Sequence, residues 1–311
     1  MRAVVVEHFG SAEGMRVRDL PTPEPGPGQV RIAVSGAGVN PVDTFNRIDP
    51  SWAGLTAPCV LGYDVAGRVD SWGAGVDDLK QGQPVMAMTA FPRGQGGYAE
   101  YVVVDAALVA ALPDSVDLVD AASIPLAAGT ALEVLKLLHP AGSAVLVLGA
   151  SGGVGLCLVQ LAAAAGLRVV GVGRERNHPV MRALGAIGCV DYTQPDALDR
   201  AAEVAGGSFD AVADLVGGPT IRQAQPHLRD DGLIVAIATP ELDIDQMIDA
   251  NQTFHGVLIR DDGERTRELA DLYGSGRLRT HVTHRLPLEE VAEAHRLLDS
   301  GEAAGKIVLI P

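Results

Sequence analysis

The sequence predicts an α/β protein, a region of short β-strands followed by a doubly wound parallel sheet, and three observations carry that prediction. The first is the run Ala144-Val145-Leu146-Val147-Leu148-Gly149-Ala150-Ser151-Gly152-Gly153-Val154-Gly155, an apolar strand entering a glycine-rich turn spaced G-x-x-G-x-x-G. The second lies just beyond the turn: Val154, Cys157, Leu158, Leu161, Ala162 and Ala165 recur at helical spacing, Gly166 closes the helix, and Arg168 to Val172 reads as a second buried strand. The third is a change near residue 120 from short strands punctuated by turns to alternating strands and helices, the pattern of a parallel sheet with crossovers.

In chain order, strands are expected over Ala3 to Glu7, Gln29 to Gly38, Asp64 to Ser71, Gln83 to Met88 and Tyr98 to Val104. Between the first two, Pro21-Thr22-Pro23-Glu24-Pro25-Gly26-Pro27-Gly28 reads as a stiff surface loop, because strands resume at once. After the glycine turn, Phe209 to Val216 with Gly217-Gly218, and Leu233 to Ala238, continue the buried strands. Near Gly256-Val257-Leu258-Ile259 an edge strand is expected. The tail carries amphipathic helices over Glu264 to Tyr273 and Leu288 to Leu298, each with a glycine stop, and a last strand over Ile307 to Ile310.

Length and composition narrow the classes. With 311 residues the chain has room for about two domains. No apolar run approaches a membrane span and the start lacks the apolar core of a leader, so a cytoplasmic protein is expected. The three cysteines, Cys59, Cys157 and Cys189, form no close pair, which argues against a disulfide framework or a thiolate zinc cluster. A formal net charge of -15 opposes attraction to nucleic acid or anionic membrane.

Strand, glycine turn and helix together form a site for a pyrophosphate: Gly149, Ala150, Ser151, Gly152, Gly153, Val154 and Gly155 bring backbone amides at the first helical turn to face the anion. At the end of the next strand, where an enzyme for NAD places an acid against the ribose hydroxyl, stand Gly173 and Arg174. A guanidinium matches a phosphate with two parallel hydrogen bonds, so Arg174 selects the 2′-phosphate of NADP, with His178 and Tyr192 in reach; the alternative is a solvated surface arginine.

Six blocks resemble the zinc-free quinone oxidoreductase branch of the medium-chain dehydrogenases/reductases, the branch that includes ζ-crystallin. They are Gly38-Val39-Asn40-Pro41-Val42-Asp43 with Arg47, Gly62-Tyr63-Asp64-Val65-Ala66-Gly67, Gly73-Ala74-Gly75-Val76, Gly96-Gly97-Tyr98-Ala99-Glu100-Tyr101, the glycine turn, and Gly305-Lys306-Ile307-Val308-Leu309. The resemblance implies a GroES-like β-barrel domain from 1–119 and 256–311, a Rossmann domain from 120–255, and a substrate cleft between the two. It also implies a homodimer joined through the nucleotide-sheet edge.

Where zinc-dependent relatives carry a cysteine and a histidine, this chain has Asn40 and Tyr63, and no thiol lies between Leu126 and Thr130. The four-cysteine lobe is missing too, since Met88 leads through Phe91-Pro92-Arg93 to Gly94. The histidines at 8, 139, 178, 227, 255, 281, 284 and 295 show no ligand pairing, so no metal is expected.

Without a Lewis acid the favoured reaction is hydride delivery from NADPH to an acceptor that is already electrophilic, a quinone or an α,β-unsaturated carbonyl. Asn40 is the first candidate for contact with ribose and substrate, against a role in capping the Pro41 turn. For Tyr63 two readings stand: a donor to the substrate oxygen, or a filler of the space a zinc ligand vacates. Asp43 and Arg47, four apart, are expected to pair on a short helix. By resemblance, Thr130 faces the nicotinamide or its phosphate, with a helix N-cap as the other reading, and Asp64 orders the cleft by hydrogen bonding. Val216, Ile237 and Lys306 complete the expected cofactor contacts. A 2-alkenal reductase, or a non-catalytic NADPH-binding sensor or structural protein, is the competing function.

Overall fold

The computed structural model describes residues 1–91, 96–138 and 140–311. The sequence readings at Pro92-Arg93-Gly94 and at His139 therefore lie outside the described residues. Two compact units form, one from Met1–Gly129 with Arg260–Pro311 and one from Thr130–Ile259.

In the first unit the chain runs through β1 (Arg2–Val6), β2 (Met15–Asp19), β3 (Gln29–Val39), α1 (Pro41–Ile48), β4 (Cys59–Val60), β5 (Asp64–Trp72), β6 (Pro84–Met88), β7 (Tyr101–Asp105) and β8 (Val109–Ala111). Then come α2 (Leu118–Ala121) and α3 (Pro125–Leu137), the second straddling the division at 129/130. The expected boundary at 119/120 falls inside α2 and ahead of α3. The structure keeps α2 and the start of α3 with the first unit, because the Leu126 amide donates to Asp64 at 2.8 Å and the Ala122 carbonyl lies against Gly38.

The second unit holds β9 (Ala144–Leu148), α4 (Gly153–Ala164), β10 (Arg168–Val172), α5 (His178–Ala183), β11 (Gly188–Val190), α6 (Ala197–Ala205), β12 (Phe209–Asp214), α7 (Thr220–Ala224), β13 (Leu228–Ala236), α8 (Ile244–Asp249) and β14 (Thr253–Gly256). Its sheet is parallel throughout, in the order β11-β10-β9-β12-β13-β14. Numbered from the first strand of the unit this is 3-2-1-4-5-6, the doubly wound dinucleotide-binding order, whose direction reverses between β9 and β12. The central strand β9 is apolar and buried at all its positions, as a strand covered on two faces requires. The edge strand is β14, three residues earlier than the expected start at Gly256, because Val257 already leaves the ladder after one bond to Ala236.

The chain returns to the first unit through α9 (Gly263–Gly274), β15 (Val282–Pro287), α10 (Val291–Asp299) and β16 (Lys306–Ile310). There the large sheet runs β15-β16-β3-β5-β6-β8, with β7 also paired to β3, and a small sheet runs β2-β1-β4. Both contribute to one core, in which Val4, Ile32, Val65, Tyr98 and Leu309 are fully buried. The β3–β5 register is broken twice, between Arg31 and Ile32 and between Val34 and Gly36. Such bulges bend an eleven-residue strand so that it serves a curved sheet.

Candidate active site

In the second unit every expected cofactor position except Thr130 and His178 follows the C-terminal end of a parallel strand. Gly149 to Gly155 follow β9, Gly173 and Arg174 follow β10, Tyr192 follows β11, Val216 follows β12 and Ile237 follows β13. Parallel strands place all these ends at one edge of the sheet, so the topology gathers what the sequence spreads over 89 positions, from 149 to 237. Gly149 adopts φ +76°, a left-handed conformation that favours glycine. A Cβ on Gly155 would stand 2.3 Å from the Gly149 carbonyl oxygen, so only glycine lets α4 start this close to the turn.

The first helical amides, those of Gly153, Val154 and Gly155, have no intrahelical acceptor; Leu156 is the first residue to bond back, to Gly152, at 2.9 Å. Gly152 sends no side chain over them, and a Cβ placed there would meet only the Gly149 oxygen, at 3.4 Å. Free donors at a helix N-terminus behind a glycine N-cap fit the pyrophosphate of a dinucleotide.

Arg174 is exposed, and its Nε donates to the Tyr192 hydroxyl at 2.8 Å. This bond sets the guanidinium and phenol side by side. His178 is placed differently: it is buried and its Nε2 lies 3.0 Å from the Gly173 carbonyl, so it braces the end of β10 from within. Asp214, which sequence reasoning missed, ends β12 fully buried. Its Oδ1 accepts from the amides of Val216 and Gly217, both at 3.0 Å, and shapes the turn that leaves the Val216 side chain exposed. An acid closing the run Phe209 to Ala213 was the available signal. Thr130 is buried inside α3 and so is not an N-cap, since that helix begins at Pro125, six residues before the expected start at Ala131.

In the first unit a second polar group forms from residues far apart in sequence. β3 lies between β16 and β5 and runs antiparallel to both, so its end meets their beginnings, with Val39 opposite Ile307 and Gly38 opposite Asp64. Asn40, Asp64 and Lys306 are thereby brought together, all buried. Asn40 Nδ2 donates to Asp64 Oδ2 at 2.9 Å, and the Lys306 ammonium donates to Asn40 Oδ1 and, at 3.1 Å, to the Val39 carbonyl. Lys306 is also 3.8 Å from Asp64. Lys306, expected among the cofactor contacts, is thus held by Asn40, Asp64 and the Val39 carbonyl.

Asp43 does not pair with Arg47. Its Oδ2 accepts the Asn40 amide at 2.9 Å, the reciprocal half of a helix-start box, while Oδ1 is buried without a hydrogen-bond partner and faces the Tyr98 hydroxyl. Arg47 turns instead to α10, donating to His295 Nδ1 at 3.2 Å and to Asp299 at 2.5 Å, and to the Gly10 carbonyl. One turn of helix brings 43 and 47 near each other, but Asp43 is claimed by its own helix start and Arg47 by a neighbouring helix.

Burial pushes the Asp43 carboxyl up to about 7, with nearby Asp64 adding to the rise against the Asn40 amide, Tyr98 and Lys306. Asp64 is raised less, to about 6, because Lys306, Asn40 and the Leu126 amide oppose its desolvation. Burial, with Arg47 adding to it, drives His295 down to about 3, so its ring is neutral at physiological pH.

Tyr63 is fully buried, accepts from Asn46 Nδ2 at 2.7 Å and packs against Phe91 with ring centroids 5.0 Å apart. Phe91 packs in turn on Trp52 at 5.7 Å and is tied to Asp261 through its amide at 2.6 Å. Trp52, with Phe45 and Ile48 of α1, leaves apolar surface exposed. Among the described residues no three His, Cys, Asp or Glu side chains gather as a metal-binding group. Among them, too, no helix is long and apolar enough to cross a membrane.

Residues 26–114 match the family described as alcohol dehydrogenase GroES-like domain, and residues 184–309 match the family described as zinc-binding dehydrogenase. The chain is 30% identical to human quinone oxidoreductase over 324 residues, covering 100% of this chain and 98% of that protein. It is 30% identical over 323 residues to the chloroplastic NADPH-dependent alkenal/one oxidoreductase of Arabidopsis thaliana, covering 100% of this chain and 80% of that one. Among solved structures, an NAD-dependent alcohol dehydrogenase is 31% identical, with both chains fully covered and a TM-score of 0.93. A barrel-type domain interrupted by a doubly wound sheet, with an amide and a phenol at two zinc-ligand positions, places the chain in the medium-chain dehydrogenases/reductases; it belongs to their zinc-free quinone oxidoreductase branch. It is an oxidoreductase that uses a nicotinamide cofactor and a small-molecule substrate.

Proposed function

We propose that this protein reduces quinones with NADPH, in preference to NADH, and without a metal. The observation that carries the proposal is the donor set: Asn40, Asp64 and Lys306 occupy each other, and Tyr63 is packed away, at positions where a metal-dependent enzyme needs thiolate and imidazole. Such a site cannot polarise an unactivated alcohol through a Lewis acid, so the acceptor has to be electrophilic already. When bound, the nicotinamide supplies the hydride. The chain's own contribution is then to hold, orient and keep dry.

The first-turn amides of α4 and the Gly149 turn would hold the pyrophosphate, and Arg174 with Tyr192 the 2′-phosphate, while Val216 and Ile237 line the nicotinamide end. Asn40, with its amide orientation set by charged neighbours, provides a polar contact to ribose or substrate. Trp52, exposed and packed at a tilt on Phe91, offers apolar aromatic surface suited to a flat acceptor. An α,β-unsaturated carbonyl is the second acceptor class, favoured by the likeness to the alkenal/one oxidoreductase.

We extend the proposal to a homodimer formed through β14, whose four residues are all exposed on the sheet edge beside exposed Ile244 and Ile248 of α8. Three free thiols accord with a cytoplasmic setting. The test is a panel of 1,4-benzoquinone, 9,10-phenanthrenequinone and enones with NADPH, beside simple alcohols with NADP. Turnover of the quinones is expected, and turnover confined to alcohols would overturn the reading. Sedimentation of the same preparation reports the dimer.

A further inference from the structure

We propose that Lys306 and Asp64 act together as a clamp that fixes which way the Asn40 amide faces, making both of them positioning residues for the reaction. The inference rests on the reading that Asn40 serves the reactive end of the site. Its physical basis is independent of that reading.

An asparagine amide has two nearly isosteric ends, one accepting and one donating, and a half-turn about its terminal bond exchanges them. An ammonium can only donate. An ionised carboxylate can only accept. Lys306 therefore selects the Oδ1 end, and Asp64, bonded at 2.9 Å, selects Nδ2. Turning the amide over would put an N–H against the ammonium and an oxygen against the carboxylate, in a place where all three side chains are nine-tenths or more buried and no bulk water screens the clash.

The clamp is itself anchored. Lys306 also donates to the Val39 carbonyl at 3.1 Å, and Asp64 Oδ1 accepts the Leu126 amide at 2.8 Å. The Asn40 backbone is held at the same time by Asp43. What remains of the amide is one N–H on Nδ2, facing in a direction set by two charges. Sheet register explains why a lysine 266 positions away can do this: β16 starts beside the end of β3.

Lys306→Met removes the selecting cation at nearly constant volume. Lys306→Arg keeps a donor there and is the folded control should the methionine variant be unstable. The chain has four asparagines, Asn40, Asn46, Asn177 and Asn251, so the side-chain amides of 15N-asparagine-labelled protein give four pairs of signals, with Asn40→Ala assigning one pair. In the native protein the Asn40 pair is expected to be single and sharp. In Lys306→Met it should broaden or double, and in Lys306→Arg it should stay single. An Asn40 pair that is unchanged in Lys306→Met overturns the clamp, whatever the enzyme turns over.

Kinetics give the second readout. With NADPH and 1,4-benzoquinone, Lys306→Met is expected to lower kcat/KM about tenfold while the NADPH dissociation constant, read by cofactor fluorescence, stays within about twofold. In an Asn40→Ala background the same change should cost less than about twofold, because its effect runs through the missing amide. Additive losses, or a weakened NADPH affinity with Asn40 absent, would show that Lys306 acts directly. An enzyme that turns over no acceptor at all fails the proposed function but leaves the amide spectrum to judge the clamp.

Discussion

At the end of β9 the chain turns within seven consecutive residues, and the groups it offers are backbone amides made available by what is missing, namely side chains at 149, 152 and 155. At the end of β3 the chain offers side chains drawn from positions 40, 43, 64 and 306, bonded to one another and to nearby backbone. The first arrangement is local and uncharged, so it needs exact backbone geometry and little else. The second is assembled by strand register and buries two carboxylates with one ammonium, so it depends on mutual compensation. A backbone site fails when an atom is added. A side-chain site fails when a partner or a proton is lost.

The largest break should come from adding atoms to the turn. A Cβ on Gly155 meets the Gly149 oxygen at 2.3 Å and Ala150 at 2.7 Å, both backbone that cannot yield cheaply. Gly155→Val is expected to weaken NADPH binding by at least about a hundredfold, which is about 2.7 kcal/mol, in a fluorescence titration. Gly152→Ala sharpens the point, since its Cβ meets only one oxygen at 3.4 Å: the fold should melt as before, with any loss confined to the cofactor. Equal affinity in Gly155→Val would remove the turn from the site.

Next in size is Arg174→Ala. A hydrogen bond to a charged group contributes about 1.5 to 3 kcal/mol, so the ratio of NADPH to NADH affinity should fall by roughly ten- to a hundredfold. The Tyr192 hydroxyl, which Arg174 now engages at 2.8 Å, remains as the lesser contact. An unchanged ratio would make Arg174 a surface arginine.

How much of this was legible before the structure obeys the same division. The turn could be read residue by residue, because strand, glycines and helix are contiguous and each has its own spacing; β10 was placed to the residue, Arg168 to Val172. In the first unit the sequence pattern located Asn40, Tyr63 and Asp64 singly and tied Lys306 to the last strand. It could not tell that these meet, since that depends on β16 lying beside β3, a pairing across 268 positions from Val39 to Ile307. The pairing of Asp43 with Arg47 failed for a related reason. Helical spacing brings two residues within reach, but tertiary partners at Asn40 and His295 decide which reach is used. Short strands such as β4 and β11, with two and three residues, carry too little alternation to be seen.

A third prediction tests compensation in the side-chain group. Asp43 is raised from its ordinary 3.8 to about 7, so between those values the folded protein holds more protons than the unfolded chain, and stability falls as pH rises through that window. His295, lowered from 6.5 to about 3, acts oppositely: the unfolded chain holds the extra proton, and stability rises with pH up to about 6.5. Asp64, raised from 3.8 to about 6, adds a second falling slope, so the native protein should lose stability as pH rises from about 4 to 6. Asp43→Asn keeps an acceptor for the Asn40 amide and removes the first slope. Urea unfolding should then show stability nearly flat from pH 4 to 6, where that of the native protein falls, and at pH 8 the variant should exceed the native protein by about 1 kcal/mol or more. A variant with the native pH profile would mean that Asp43 is ionised in the folded state throughout.

The smallest kinetic effect is expected at Tyr63, and it separates packing from chemistry. The ring lies against Phe91 at 5.0 Å and is fully buried, which Tyr63→Phe leaves intact. The substitution takes away the oxygen that accepts from Asn46 at 2.7 Å, and Asn46 Oδ1 already lacks a hydrogen-bond partner. A buried amide donor left without its acceptor costs about 1 to 3 kcal/mol, so the variant should unfold at lower urea. Its kcat/KM with benzoquinone should stay within about threefold of the native value, because the ring packing on Phe91 is unchanged. A fall beyond about tenfold in kcat, with KM steady and the fold intact, would instead put the phenol at the reacting oxygen, and the first unit would then contribute a proton donor as well as a held amide.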